Sequence, residues 1–438
     1  MNAEINYAGF HGRLTRVQQL LHDRGLQVFN IMPMAFHPNN EPSTLNNFLF
    51  KAELAKPAMA SNFPGTQPGT CKAPAEGVSV LVVKLNNPAA EDFINHSNRV
   101  ANDVAAQKLV REYLADSNHR TMKQVVPSVY AWAPARTTNP ADAAGFGWII
   151  SEFRSGVNLA SVFGKFPFDE KKHALKQLKD ILRAVRSAKL PEGVTKFGGG
   201  LTFDSEGQVV DGESPTEEIM EPASSYLEWL VGHTRAELDA ASECRIIQRW
   251  QGSGVIARIE KFLNGGGPEK LLADLDIGRK GQALIHAGLN TGNLLWDLDK
   301  REITAVLDFE FAVVNHPFEE FDSLSFTDLG GSLEFDTAGP IREAVASGDF
   351  TKTPDADDIP PEKWMLAKEW NAVLDDLAPS KIKGLGGILD LLQLQFLLFQ
   401  FRDSMEVISI RFGLANLTEE LLPPAHAALV EWLEKHGF

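Results

Sequence analysis

Residues 283–310 hold two short apolar runs separated by a polar turn, and this pattern constrains the chain more than any other. Ile303, Thr304, Ala305, Val306 and Leu307 form an apolar, β-branched run that reads as a buried strand. Leu294, Leu295 and Trp296 read as its partner, and Asp297, Leu298, Asp299, Lys300, Arg301 and Glu302 supply the polar turn between them. A hairpin built this way brings Asn293 and Asp308 near each other at its open end. An amide oxygen and a carboxylate are hard ligands, of the kind Mg²⁺ takes together with phosphate oxygens and water. The plainer alternative is a buried hairpin with an Asn cap and a turn Asp.

The loop entering the hairpin reads His286-Ala287-Gly288-Leu289-Asn290-Thr291-Gly292-Asn293. Kinase-type phosphotransferases carry His-x-Asp-x-x-x-x-Asn there, with the Asp receiving or orienting the proton of the substrate hydroxyl. Together with Asp308-Phe309-Glu310-Phe311-Ala312 and His316-Pro317-Phe318-Glu319-Glu320-Phe321, the stretch resembles the aminoglycoside phosphotransferase/choline kinase family, most of all its fungal members. The resemblance covers residues 46–326, and its specific motifs are the loops. It implies an α+β, bilobal protein-kinase-like fold. A small antiparallel-sheet amino-terminal, nucleotide-binding lobe would span residues 1–153. A larger, mainly helical carboxy-terminal lobe, with the catalytic loop and acceptor cleft, would span residues 154–438. It further implies ATP and Mg as cofactors, Asn293 and Asp308 as metal ligands, and transfer to a small-molecule hydroxyl. His286 in such a loop braces it by hydrogen bonds. One residue departs from the pattern: Gly288 stands where the family has Asp.

The upstream half meets the same expectation. Val78-Ser79-Val80-Leu81-Val82-Val83-Lys84-Leu85 is an apolar strand with one lysine near its end, where the resemblance places the lysine of the α- and β-phosphates. A lysine there is also an ordinary snorkelling residue. Residues 98–110 follow with helical spacing of Val100, Val104, Leu109 and Val110. The acid that pairs with the lysine would be Asp103, one methylene shorter than the family's Glu; unpaired, it is a solvated helix residue. Residues 125–132 and 147–153 read as two further strands. The second leads to a hinge where backbone groups of Ser151, Glu152, Phe153 and Arg154 would face the adenine, with Gly156 in the turn beyond. Two stretches compete for the phosphate-covering loop, residues 41–47 and residues 62–70, and the shorter ranks first.

Composition narrows the partners. The net charge is −16, from 42 basic and 58 acidic residues, which argues against nucleic acid or an anionic membrane. Cys71 and Cys244 have no metal-ligand spacing, so a reducing, cytoplasmic setting is the simplest reading. No basic region followed by an apolar run opens the chain. The greasiest stretch, residues 391–399, is far shorter than the ~20 residues a membrane helix needs and reads as a buried helix.

Further elements are legible by spacing. Residues 169–190 form an amphipathic helix ending before Pro191, and residues 361–377, 387–412 and 417–436 form three more. Gly198, Gly199 and Gly200 lead into a hairpin that turns at residues 204–207, and do not open a helix as a phosphate cradle must. Glu310, Glu319, Glu320 and Asp322 follow the metal turn. As walls of the cleft they suit an amine-bearing acceptor; as solvated or capping acids they say nothing of it. Three functions stand open: a nucleotide-binding phosphotransferase with weak or altered chemistry, a pseudokinase scaffold, or a kinase fold repurposed for other small-metabolite chemistry.

Overall fold

Alternation of buried and half-buried residues from Asn47 to Ala52 marks a strand with one face on a core, and it lies inside a five-stranded antiparallel sheet. A computed structural model of the protein describes residues 9–34, 46–64, 67–90, 94–116, 122, 124–216, 221–243, 252–334, 339–355, 357–401 and 422–438. The first lobe comprises α1 (Phe10–His22), β1 (Val28–Met34), β2 (Asn47–Ala58), β3 (Val78–Asn86), α2 (Arg99–Asp116), β4 (Val129–Ala133) and β5 (Trp148–Glu152). The strands run in the order β1-β2-β3-β5-β4. Val17, Leu20 and Leu21 of α1 close one face of the sheet against Phe50, Leu81, Val83 and Ile150. Each such side chain removed from water contributes about 1.5–3 kcal/mol.

The second lobe is mostly helical. It opens with β6 (Val157–Asn158), α3 (Ala160–Phe163) and α4 (Phe168–Arg186), continues through the hairpin β7 (Gly200–Phe203) and β8 (Val209–Gly212), and then α5 (Tyr226–Glu243), α6 (Val255–Asn264) and α7 (Gly267–Leu271). β9 (Ala283–Ile285), β10 (Leu294–Asp297), β11 (Glu302–Val306) and β12 (Val313–Asn315) carry the loop motifs. α8 (Gly339–Ser347), α9 (Pro361–Leu374), α10 (Leu385–Phe399) and α11 (Leu422–Lys435) complete it. The expected α+β architecture, a small antiparallel sheet followed by a larger helical lobe, is the one observed.

α2 binds the two lobes together. Val100, Ala101 and Val104 pack on Val129, Trp132 and Ile149 of the sheet lobe. Ala105, Ala106, Leu109, Val110 and Leu114 belong instead to the large core shared with α4, α5 and α10. A helix buried on nearly all sides loses its one-sided pattern, which is why its apolar stripe is poorly defined in sequence.

Differences from the sequence expectations have local causes. The strand expected from residue 125 begins at Val129, because Pro127 has no N–H and its carbonyl accepts from Arg111 at 2.9 Å. α1 and β1 carry no expectation; β1 is an edge strand with Pro33 in it and no fully buried residue. Residues 41–45 of the first candidate phosphate-loop stretch and 65–66 of the second lie outside the described residues, as do Cys244 and residues 402–421 of the last two expected helices. No single helix among the described residues is long and apolar enough to cross a membrane.

Candidate active site

The hairpin of β10 and β11 is antiparallel, with Leu294 opposite Val306, and the Leu307 N–H donates to the Asn293 carbonyl at 2.9 Å. Asn293 and Asp308 therefore emerge side by side at one end. Asp308 takes a left-handed backbone, φ 67°, ψ 63°, and Ala287 in the preceding loop has φ 57°. Non-glycine residues hold such conformations only where the surroundings over-determine them, at about 1–3 kcal/mol each.

What holds the Asp308 turn is a cluster of charges. Lys84, near the end of β3, contacts Asp103 at 2.9 Å, Asp308 at 2.8 Å and Glu310 at 2.9 Å. Glu310 is fully buried and also receives the Arg99 guanidinium, at 3.1 Å from Nε and 2.9 Å from the terminal nitrogen, and the Asn47 amide at 2.8 Å. Two cations face three carboxylates here. Burial opposes the charge on Lys84, but Asp103, Asp308 and Glu310 together hold its pKa well above the usual lysine value. Asp308 is pushed up to about 6, by burial first and by Glu310 second. Glu310 goes the other way, to about 2: burial would raise it, and Lys84 and Arg99 outweigh burial. Asp308 also keeps 31% of its side-chain surface exposed, against none for Glu310, so it is the carboxylate that presents itself to the cleft.

The donor set fits a divalent cation. Ligand oxygens of Asp103, Asp308 and Glu310 all lie within 4.8 Å of one another. Asn293 spends its amide nitrogen on the Gly288 carbonyl, at 2.8 Å, which leaves its amide oxygen as the atom to offer. Hard oxygens in this arrangement are Mg²⁺ chemistry.

The loop itself is braced from beneath. The Glu320 carboxylate, completely buried, accepts from the backbone of His286 at 2.9 Å, from that of Ala287 at 3.2 Å and from the Ser325 hydroxyl at 2.5 Å. His286 Nε2 meets the Leu307 carbonyl at 3.1 Å, which ties loop to hairpin. That acceptor requires Nε2 to carry the proton. Burial lowers the His286 pKa, so the ring is a neutral brace. Gly288 does not owe its identity to its backbone. Its φ is not in the left-handed region, and a Cβ placed on it would meet Asn293 at 3.4 Å and His286 at 3.7 and 3.9 Å.

Beside the loop lies a cavity of about 390 Å³, lined among others by Trp229, Ile285, Phe311, Glu319, Asp322 and Glu334. Its walls are mainly apolar. Glu319 accepts the Tyr226 hydroxyl at 2.5 Å. Asp322 is pushed up to about 7, by burial and then by Glu334, with Arg342 opposing. Of the four acids read from the sequence as cleft or bracing residues, Glu319 and Asp322 line the cavity, while Glu310 and Glu320 are buried struts.

The chain belongs to the phosphotransferase enzyme family. The family model matches residues 70–350, well over half of the chain and all of the loop motifs. Among solved structures, the complex of gentamicin with APH(2")-IIa is similar at 11% identity, over 99% of this chain and 97% of that one, with a TM-score of 0.42. Spectinomycin phosphotransferase APH(9)-Ia, bound to ADP and spectinomycin, is 12% identical over 96% and 93%, TM-score 0.38. Ethanolamine kinase from Plasmodium vivax is 12% identical over 94% and 89%, TM-score 0.38. No curated protein sequence matches the chain.

The structure brings Lys84, Asp103 and Asp308 into direct contact, and places His286, Gly288 and Asn293 around one loop. The hinge residues lie at the end of β5 and just beyond it. Ser151 is paired on both sides, with Val82 and Val129, and the Glu152 N–H is given to the Ser128 carbonyl at 2.8 Å. Phe153 follows the strand and lies under the Lys51 ammonium, 4.9 Å from its ring centre. Sequence reasoning missed Arg99, Asn102 and Asn47. Their signal was present in part: Arg99, Asn102 and Asp103 sit at helical spacing i, i+3, i+4 on a helix whose other buried residues are largely apolar.

Proposed function

We propose that this protein binds Mg-ATP between its lobes and transfers the terminal phosphoryl group to a hydroxyl of a small, amine-bearing molecule held in the cavity beside the catalytic loop. The observation that carries the reading is Lys84, held between Asp103 of α2 and Asp308 of the metal turn. A chain with no use for a triphosphate has no need of a buried lysine stationed against an Asp at the mouth of a cleft. In this reading residues 1–153 form the nucleotide lobe and residues 154–438 the acceptor lobe. Lys84 addresses the α- and β-phosphates, and Asp308 and Asn293 hold the metal. Bound Mg²⁺ supplies charge neutralisation at the phosphate oxygens. With the N–H of Glu152 and the backbone of Ser151 engaged by the sheet, Phe153 and Arg154 are the hinge groups left to meet the base.

Glu319, Asp322 and Glu334 in the cavity lining favour a cationic acceptor, and Trp229, Ile285 and Phe311 favour one with an apolar body. Gly288 sets the rate. A positioned base contributes about 10²–10⁴-fold, while positioning and phosphate electrostatics supply most of the rest in phosphoryl transfer. Slow or altered transfer follows. Gly288 also favours a second reading, a pseudokinase scaffold or binding protein, because its backbone would accept an Asp and does not have one.

The deciding experiment is the melting temperature with Mg-ATP, and with ATP plus chelator. Ligand at ~100 times its dissociation constant stabilises the fold by about 2.7 kcal/mol. A metal-dependent rise is expected. No rise in a folded sample overturns the Mg-ATP reading and leaves a pseudokinase scaffold or the repurposed cleft.

A further inference from the structure

The side chains of α2 that reach the metal turn come from one face, and each takes a different part of the turn. Arg99 grips the Glu310 carboxylate with two nitrogens, at 3.1 and 2.9 Å. Asn102, one turn on, donates to the carbonyls of Glu310 and Ala312 at 3.0 and 2.8 Å. Asp103 reaches the turn through Lys84. The same Asn102 accepts from the Leu201 N–H of β7 at 2.7 Å, and Asn98 donates to the Leu201 and Glu213 carbonyls at 3.1 and 3.2 Å. Glycines make that approach possible. A Cβ at Gly200 would lie 2.6 Å from the Glu213 carbonyl and 2.9 Å from Asn102, and one at Gly212 would lie 2.6 Å from Asn98. Gly200, the last of the glycine run read in the sequence as a turn element, and Gly212 thus give the start of α2 room to pack closely.

We infer that Arg99 is a positioning residue: through Glu310 it fastens the metal turn to α2, and thereby fixes Lys84 and Asp308 in the geometry that captures metal and nucleotide. The inference rests on the Mg-ATP reading above and goes beyond it, since neither Arg99 nor Glu310 is needed there as a ligand. The charge arithmetic gives the reason. Arg99 and Lys84 are the two cations, and Glu310, Asp103 and Asp308 the three carboxylates. With Arg99 engaged by Glu310, and Lys84 by Asp103, Asp308 is the carboxylate left over for a divalent cation. Without Arg99, Glu310 has, among the described residues, Lys84 and the Asn47 amide to answer its charge, and it competes with Asp103 and Asp308 for the lysine. α2 then acts as part of the larger lobe's scaffold, not as a lever that must swing in to complete the site.

The test uses the full chain and three variants: Arg99→Lys, Arg99→Met, and Arg99→Met/Glu310→Met. The double variant removes both charges together, which avoids stranding a buried carboxylate. Two readouts are taken. One is the dissociation constant of adenylyl imidodiphosphate with Mg²⁺ and with chelator. The other is amide exchange of residues 99–106 and 308–312. Partners that orient metal ligands typically govern about 10–100-fold in affinity, so the Mg²⁺-dependent tightening should fall by that range in the double variant, with Arg99→Lys recovering part of it. Exchange should rise in both segments together while the rest of the fold stays protected. A folded double variant with wild-type tightening and unchanged exchange overturns the inference. Should the double variant not fold, the same readouts on Arg99→Lys decide in the same way. A wild type that binds no nucleotide overturns the Mg-ATP reading instead, and the exchange data alone then decide whether the fastening exists.

Discussion

The two sides of the cleft are built to different standards. On the metal side, Lys84, Arg99, Asp103, Asp308 and Glu310 touch one another at 2.8–3.1 Å, and all but Asp308 are buried. On the cavity side, Gly288 brings no side chain to the loop, and the cavity of about 390 Å³ is walled mainly by apolar groups. A dense ion network of this kind costs desolvation and is weak evidence of stability for its own sake. Under the proposed function, the difference means that groups for a triphosphate and its metal hold one another in place, while position 288 brings none for proton transfer.

The sharpest way to break that contrast is Lys84→Met. It leaves Asp103, Asp308 and Glu310 facing one another with Arg99 as the single remaining cation of the network, and stranded buried charge costs about 3–5 kcal/mol. Thermal unfolding should show the loss, and Mg²⁺ alone should restore more of it than it adds to the wild type, because three carboxylates within 4.8 Å then lack their lysine. A variant as stable as the wild type, and indifferent to Mg²⁺, would mean that the cluster is a solvated acidic patch.

How much of this was legible in the sequence follows the same division. The hairpin around Asn293 and Asp308 was readable because β-branched residues and a polar turn define it within 16 residues, and Lys84 because it ends an apolar strand. Glu310 was not readable as a strut. Its partner Arg99 is 211 positions away, and nothing local distinguishes a buried acid with a guanidinium from an acid lining a cleft. The start of α2 was legible as a helix but not as an interface, since the donors and acceptors of Asn98 and Asn102 find their partners across the chain at β7 and the metal turn. The glycines at 198–200 punctuate a turn on paper; only the packing shows that two of the carbonyl and amide contacts beside them require the absence of a Cβ.

Gly288→Asp tests the acceptor side directly. The added Cβ meets Asn293 and His286 at 3.4–3.9 Å, ordinary contact distances, so the variant should fold as the wild type does. With an acceptor found among small amine-bearing alcohols, turnover should rise by about 10²–10⁴-fold, the usual worth of a positioned base. Equal turnover in the two proteins would show that a water or a substrate group already occupies the place of the missing carboxylate. The looseness of the acceptor side would then be apparent only.

The smallest effect expected is on pH, and it sets Asp322 of the cavity against Glu310 of the ion cluster by sign. Asp322, on the cavity wall, has its pKa raised to about 7 by burial and Glu334, above the ~3.9 of an unfolded chain. Below both values the group is protonated in either state and contributes no difference. Between them the folded state holds a proton that the unfolded state has released, so the wild type loses stability as pH rises from about 4 to about 7. Asp322→Asn does not titrate, and its melting temperature should gain on the wild type across that window and run parallel above it. A constant gap would mean that Asp322 is solvated and the cavity wall is no device for cation recognition. Glu310 runs the opposite way: its pKa is depressed to about 2, so its contribution is complete above ~4.3 and is lost only in stronger acid. An amine in the cavity should draw the proton off Asp322 and flatten its share of the wild-type slope, whereas Mg²⁺ at Asp308, whose own pKa is raised to about 6, should flatten the share that persists in Asp322→Asn.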